Sequence, residues 1–195
     1  MRIHTVGDSH SFCGWPAFVT PHHLGAVLCY SFGKEKLERC DLRDFDIVDG
    51  DTVIFCFGEI DCRCHIHKHI TADRGYESII DELVDNYFEA IELNITTSGL
   101  ELHKIGVFNV VPPNNGGTRN HDWSGISRAG DLRKKFVIYF NQQLKLKCEE
   151  YGYWFVDVYD KYSDANGWLD TKLSDGHMHI NSMPPLVEYL RDNLP

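Results

Sequence analysis

The chain has 195 residues, of which 43% are hydrophobic and 25% are charged, and its formal net charge is −10. This composition is typical of a globular protein with one core, so we predict a single domain over residues 1–195. The negative charge argues against nucleic acid binding, because neutralising phosphates requires clustered Lys and Arg. No apolar run is long enough for a membrane span. We therefore expect neither a nucleic acid nor a membrane partner.

The cysteines and the amino-terminal segment bear on the cellular compartment. The chain contains seven cysteines, an odd number. The segment after Met1 has no apolar region that ends in a small-residue cleavage site. We therefore expect reduced thiols and a cytoplasmic location.

Five short apolar segments are candidate strands. The third is continuous and rich in β-branched and aromatic residues, which is typical of a strand buried on both faces. In chain order the segments are "RIHTV" (2–6), "GAVLCYSF" (25–32), "DTVIFCFG" (51–58), "KIGVFNVV" (104–111) and "YWFVDVY" (153–159).

Amphipathic patterns predict three helices, over residues 76–94, 129–152 and 181–195. Strands that alternate with helices in this way predict a mostly parallel sheet with helices on both faces. Ligands of such sheets bind beyond the carboxyl ends of the strands. The residues that follow each strand are therefore the candidates for chemistry.

Polar segments follow four of the five predicted strands. Because the carboxyl ends of parallel strands share one edge, we expect these segments to converge there. They are "GDSHS" (7–11), "GEIDCRCH" (58–65), Asn109 with the loop after it, and "SDGHMHIN" (174–181).

Ser9, His179 and Asp175 have the residue types of a nucleophile, its base and an orienting acid. A serine directly after a strand is also a common helix N-cap, so Ser9 alone decides nothing. His177 is the alternative base, but only one residue separates it from Asp175. The convergence of the loops favours the nucleophile interpretation, with His179 as the base.

The ordered segments "GDSHS", "GEID" and "DGHMHIN" resemble the SGNH (GDSL-like) hydrolase superfamily. Its members include esterases, lipases, deacetylases and O-acetyltransferases. The resemblance implies a flavodoxin-like three-layer α/β/α sandwich with a mostly parallel five-stranded sheet. It also implies Ser9 as nucleophile, His179 as base and Asp175 as orienter, with no metal or cofactor. The stretch "GEIDCR" (58–63) resembles a divergent branch whose members often accompany glycan-modifying domains.

The oxyanion-binding groups of this superfamily are harder to place. Its glycine block corresponds to Gly25 or Gly33, and we prefer Gly33 because it directly follows the predicted second strand. The superfamily's usual Gly-x-Asn-Asp box ends here in Ile60-Asp61, and an isoleucine side chain cannot donate a hydrogen bond.

Two side chains are candidate replacements for the missing asparagine. The guanidinium of Arg63 follows the box closely, and Asn109 ends the predicted fourth strand. Glu59 and Asp61 of the box are candidate substrate-binding residues. They are equally candidates for structural partners of Arg63 or of loop amides.

Two other motifs invite different chemistry. His65, His67 and His69 alternate beside Cys62 and Cys64, as metal ligands on one face of a strand would. The Cys-x-x-Cys spacing of a zinc site is absent, so a solvated loop is the preferred interpretation.

The "NNGGTR" stretch (114–119) offers glycine amides that suit a phosphate. It lacks the Lys-Ser/Thr of a phosphate loop, which favours a substrate-side loop. Trp123 is a candidate sugar contact in the same loop.

The sequence as a whole predicts a serine esterase or O-acyltransferase. The resemblance favours small acyl esters, acetyl esters above all, linked to carbohydrate. A non-catalytic glycan-binding or scaffold module on the same fold is the main alternative, since the box has lost its asparagine. A metal-dependent hydrolase built on the histidine run is a second alternative.

Overall fold

The computed structural model describes residues 1–115, 129–181 and 183–194. Its strands form one sheet in the order β2-β1-β3-β4-β5, and every neighbouring pair is parallel. This is the flavodoxin-like order, in which the crevice for a ligand opens between β1 and β3. The strands are β1 Ile3–Gly7, β2 Val19–His23, β3 Thr52–Cys56, β4 Lys104–Phe108 and β5 Trp154–Val156.

Helices cover both faces of the sheet, so the predicted α/β sandwich is confirmed. The three helices predicted from amphipathic patterns are present as α3, α4 and α5, and two short helices come before them. No helix in the described residues is long and apolar enough to cross a membrane. The helices are α1 Cys29–Glu35, α2 Glu59–Cys64, α3 Tyr76–Ser98, α4 Ala129–Tyr151 and α5 Pro184–Asn193.

Each strand sends alternate side chains to the two faces, which gives the protein two apolar layers. On one face, Val6, Phe55 and Val107 pack with residues of α1, α3 and α4. On the other face, Ile54 and Phe108 pack with residues of α5 and of the loops around it. The sheet is therefore buried on both sides, and its carboxyl edge is left for the polar loops.

The predicted second strand is wrong. Residues 25–32 form a loop and the first turn of α1, whereas β2 is Val19–His23. This edge strand is mostly solvent-exposed, and its Pro21 suits a position without a second neighbour. The apolar run was misleading because its residues pack into the core from the start of a helix.

Candidate active site

Ser9 lies just beyond β1, at the crevice between β1 and β3. It begins a short 3₁₀ helix, Ser9–Ser11, whose N-cap is Asp8. The Asp8 carboxylate accepts the backbone N–H of His10 at 2.8 Å. The capping role considered for Ser9 therefore belongs to Asp8, and the Ser9 hydroxyl is left for other contacts.

The glycine before Asp8 allows the turn to form. A Cβ atom on Gly7 would lie 2.0 Å from the carbonyl oxygen of Cys56 in β3. The same carbonyl accepts the N–H of Asp8 at 3.2 Å. Only glycine permits this close approach of the two strands at the base of the nucleophile loop.

Ser9, His179 and Asp175 form a continuous hydrogen-bonded chain. The Nε2 atom of His179 lies 2.8 Å from Ser9 Oγ, and its Nδ1 atom lies 2.7 Å from Asp175 Oδ2. A carboxylate only accepts hydrogen bonds, so Nδ1 carries a proton and donates a hydrogen bond to Asp175. His179 Nε2 is then the acceptor for the Ser9 hydroxyl, as a general base requires.

The Asp175 carboxylate is fixed by its own loop. Its Oδ1 atom accepts the backbone N–H groups of His177, Met178 and His179 at 2.8, 3.0 and 3.2 Å. Burial alone raises the pKa of Asp175, but the hydrogen bonds from the His179 ring and from these amides outweigh it and lower the pKa. Asp175 is thus held ionised, and the three residues between it and His179 form the turn that holds it.

His177, the alternative base, makes a contact away from Ser9. Its backbone carbonyl accepts a hydrogen bond from the Asn114 side chain. The ring that contacts Ser9 belongs to His179.

Known structures resemble this protein, although its sequence matches no known family model. No protein-family model matches the sequence, and no curated protein matches it. Solved structures do match. A GDSL-like lipase from Bacteroides thetaiotaomicron superposes with a TM-score of 0.64 at 13% identity, over 98% of this chain and 84% of that one.

Two further structures agree with the first. A member of the lipolytic G-D-S-L family from Veillonella parvula has a TM-score of 0.58 at 14% identity, over 100% of this chain and 98% of that one. A catalytic mutant of Axe2, an acetylxylan esterase from Geobacillus stearothermophilus, has a TM-score of 0.57 at 14% identity, over 98% of this chain and 93% of that one. The chain has the SGNH hydrolase fold.

Gly33 does not directly follow the second strand, which was the reason for preferring it over Gly25. Gly33 lies beyond the first turn of α1, so its N–H belongs to the hydrogen-bond ladder of the helix. A Cβ there would lie 2.9 Å from the Cβ of Asn86, so Gly33 serves the packing of α1 on α3. Gly25 is the glycine that follows the actual β2, next to Leu24, whose N–H bonds the Gly7 carbonyl at 2.8 Å.

Asp61, a candidate substrate-binding residue, has a structural role. It is fully buried, and its carboxylate accepts the N–H groups of Cys29 and Tyr30 at 2.7 and 3.1 Å. It therefore caps the start of α1 from the box after β3. Burial raises the pKa of Asp61 to about 7, despite the backbone N–H groups that lower it.

Asn109 is also occupied structurally, which corrects its proposed oxyanion role. Its Oδ1 atom accepts the N–H of Val158 at 2.9 Å, and its Nδ2 atom donates to the carbonyl of Val110 at 2.9 Å. The side chain is buried and ties the end of β4 to the segment after β5.

Glu59 and Arg63 form an ion pair on α2. The Nε atom of Arg63 lies 2.7 Å from Glu59 Oε1, and their side chains are 13% and 11% exposed. Both line a recess beside the base loop, together with Asn114, Arg133 and Met178. Arg63 is thus close to the site, but one of its donors is held by Glu59.

The histidine run does not form a strand. His65 is the C-cap of α2, and residues 66–69 form a 3₁₀ helix. In the described part of the chain, no group of three or more His, Cys, Asp or Glu side chains is arranged to hold a metal ion. Most of the "NNGGTR" stretch and Trp123 lie outside the described residues.

One site residue had no role in the sequence analysis. His10 is buried between Asp8 and the base loop, and its ring centroid lies 4.8 Å from that of His179. Its position directly after Ser9 was the only signal in the sequence.

Proposed function

We propose that the protein is a serine ester hydrolase, or an acyltransferase that uses the same covalent first step. The observation that carries this proposal is the chain of hydrogen bonds from Asp175 through His179 to Ser9. Support comes from the fold, which is shared with a lipase and an acetylxylan esterase.

The proposed reaction begins when Ser9 Oγ attacks the ester carbonyl. His179 Nε2 takes the hydroxyl proton as the bond forms, and Asp175 stabilises the resulting imidazolium. His179 then gives the proton to the leaving alcohol, which departs as the C–O bond breaks and leaves an acyl group on Ser9. Water or an acceptor hydroxyl, deprotonated by His179, releases the acyl group and restores Ser9.

The negative charge on the carbonyl oxygen needs donors. We assign the backbone N–H of Ser9, which is at the first position of its 3₁₀ helix, where helices leave N–H groups outside the ladder. We assign the N–H of Gly25 on the other side, from its place after β2. Arg63 is our proposed charged donor in place of the amide missing at Ile60.

Unpaired acceptors favour a hydroxyl-rich alcohol as the leaving group. Glu59 Oε2 and Asn114 Oδ1 are buried and make no hydrogen bond to any residue that the structure describes. Both residues line the recess next to Met178, the neighbour of His179. A sugar hydroxyl that entered the recess would give these acceptors a donor, and so we propose a small acyl ester of a carbohydrate, with Glu59 as a substrate-binding residue.

The test is hydrolysis of p-nitrophenyl acetate by the purified chain. We expect release of nitrophenol that Ser9→Ala reduces to the uncatalysed rate. Ser11→Ala is the matched control, because Ser11 Oγ bonds the Asp8 carbonyl rather than a base. A folded wild-type protein without activity would refute the proposal. Loss of activity with a chelator and its return with zinc would favour metal-dependent hydrolysis instead.

A further inference from the structure

His10 connects the loop of the nucleophile to the loop of the base. Its Nδ1 atom lies 3.0 Å from Asp8 Oδ1, and its Nε2 atom lies 3.2 Å from the carbonyl oxygen of Met178. Asp8 and His10 flank Ser9, and Met178 precedes His179. The bridge therefore spans two segments that are 168 residues apart in sequence.

The partners of His10 define its protonation state. A backbone carbonyl can only accept a hydrogen bond, so Nε2 must carry a proton. An ionised carboxylate also only accepts, so Nδ1 must carry one as well. A neutral imidazole has a single N–H and satisfies only one of these contacts, whereas an imidazolium satisfies both.

The positive charge of His10 lies in a buried position next to His179. Only 5% of His10 is exposed, and its ring centroid lies 4.8 Å from that of His179. The imidazolium is therefore shielded from water and lies directly beside the ring of the base.

We propose that His10 is a positioning residue: a buried imidazolium that bridges Asp8 and Met178 and holds His179 against Ser9. Its effect on catalysis rests on the proposed function, whereas its charge does not.

The charged groups around His10 agree with this assignment. Burial alone would lower its pKa, but the Asp8 carboxylate and, more weakly, Glu59 of α2 outweigh it and raise the pKa to about 9. His179 is the group on the base loop that faces the ring. The imidazolium ring lies between the Asp8 carboxylate and the base loop, so removing it takes away a cation and leaves the Asp8 charge unbalanced.

The test is nitrogen NMR of the full chain with ¹⁵N-labelled histidine, which reports the proton on each ring nitrogen without turnover. At pH 7 we expect both nitrogens of His10 to carry protons, and we expect its titration near pH 9. In His10→Asn, which cannot bridge the two loops, labelling of Ser9 by a fluorophosphonate should slow by about tenfold or more, because the base is no longer held in place. His23→Asn, which changes an exposed histidine, is the matched control and should label at the wild-type rate.

A second variant separates the bridge from the charge. The longer side chain of His10→Gln can reach the Met178 carbonyl but is neutral. We expect it to react with a fluorophosphonate faster than His10→Asn does. A neutral His10 at pH 7, or labelling of His10→Asn at the wild-type rate, would overturn the proposal. The wild-type spectrum requires no variant to fold, and it stands even if the chain hydrolyses no ester.

Discussion

Asp175 holds His179 with one carboxylate oxygen while its other oxygen is held by the backbone. Oδ2 bonds the Nδ1 atom of His179 at 2.7 Å, and Oδ1 accepts three consecutive N–H groups of the same loop. The loop thus fixes the acid, and the acid fixes the ring that faces Ser9. This geometry separates the role of the Asp175 charge from its role in the turn.

Asp175→Asn tests that separation. An asparagine keeps an oxygen for the three amides, but its NH₂ group would face Nδ1 and favour the tautomer whose Nε2 carries the proton. We expect kcat for ester hydrolysis to fall by about 10³–10⁴-fold, as in other triads. Thermal unfolding should show a folded protein with a similar Tm. Activity within a few-fold of wild type would mean that Asp175 does not orient the base.

Gly7→Ala tests the close contact under the nucleophile loop. The new methyl group would meet the Cys56 carbonyl at 2.0 Å, so β1 and β3 must separate. We expect a loss of about 3 kcal/mol or more in unfolding free energy, or failure to fold. Gly50→Ala is the control, since no atom lies within 4 Å of its added Cβ. It should cost about 1–2 kcal/mol, from the positive φ of Gly50 alone. Urea denaturation of both variants makes the comparison.

The cap that Asp61 gives to α1 should contribute to stability. Asp61→Ala removes the acceptor of the buried Cys29 N–H and of the partly buried Tyr30 N–H, so we expect a loss of about 2–4 kcal/mol in unfolding free energy. Asp41→Ala removes a cap that accepts the N–H of Arg43 at the protein surface. That loss should be about 1 kcal/mol. Similar midpoints in urea for the two variants would show that the Asp61 contacts are not stabilising.

Acid should destabilise the protein through the pair formed by His4 and His22. The two rings share a hydrogen bond of 2.9 Å beneath Phe45, which stacks on His22. Burial, with the neighbouring His4, lowers the pKa of His22 to about 4. A histidine in the unfolded chain titrates near 6.5. The unfolded state therefore binds more protons between these values, so this contribution to stability is present above pH 6.5 and is lost as pH falls to 4.

Urea denaturation of wild type and His22→Gln between pH 6.5 and pH 4 tests whether protonation of His22 destabilises the fold. We expect the urea midpoint of wild type to fall more steeply between pH 6.5 and 4 than that of the variant. His23→Gln, which changes the exposed neighbour, should keep the wild-type slope. Equal slopes for wild type and His22→Gln would refute the assignment.

Much of the fold was predictable because its elements bury a regular pattern of side chains. Continuous apolar runs identified β1, β3, β4 and β5, and amphipathic periodicity identified the three long helices. β2 escaped because it is an exposed edge strand with a proline, and its stability comes from pairing with β1. The start of α1 escaped because its capping residue, Asp61, lies 32 residues away in sequence from Cys29.

The candidate site was predictable only in part, because some of its side chains are held by backbone groups. The side chains of Ser9, His179 and Asp175 carry their chemistry in the sequence, and strand order brings their loops together. The occupation of Asn109 and Asp61 depends on backbone groups, which sequence does not mark. The same is true of His10, whose bond to a backbone carbonyl exists only in the folded chain.

Covalent labelling of Ser9 tests the central claim most directly. The purified chain is treated with a fluorophosphonate, and intact-mass and peptide mass spectrometry count and locate the adduct. We predict one adduct on Ser9, none in Ser9→Ala, and labelling at least about 100-fold slower in His179→Ala. Ser11→Ala should label like wild type. A folded wild-type chain that takes no label, or a label that persists in Ser9→Ala, would contradict the assignment of Ser9 as the nucleophile.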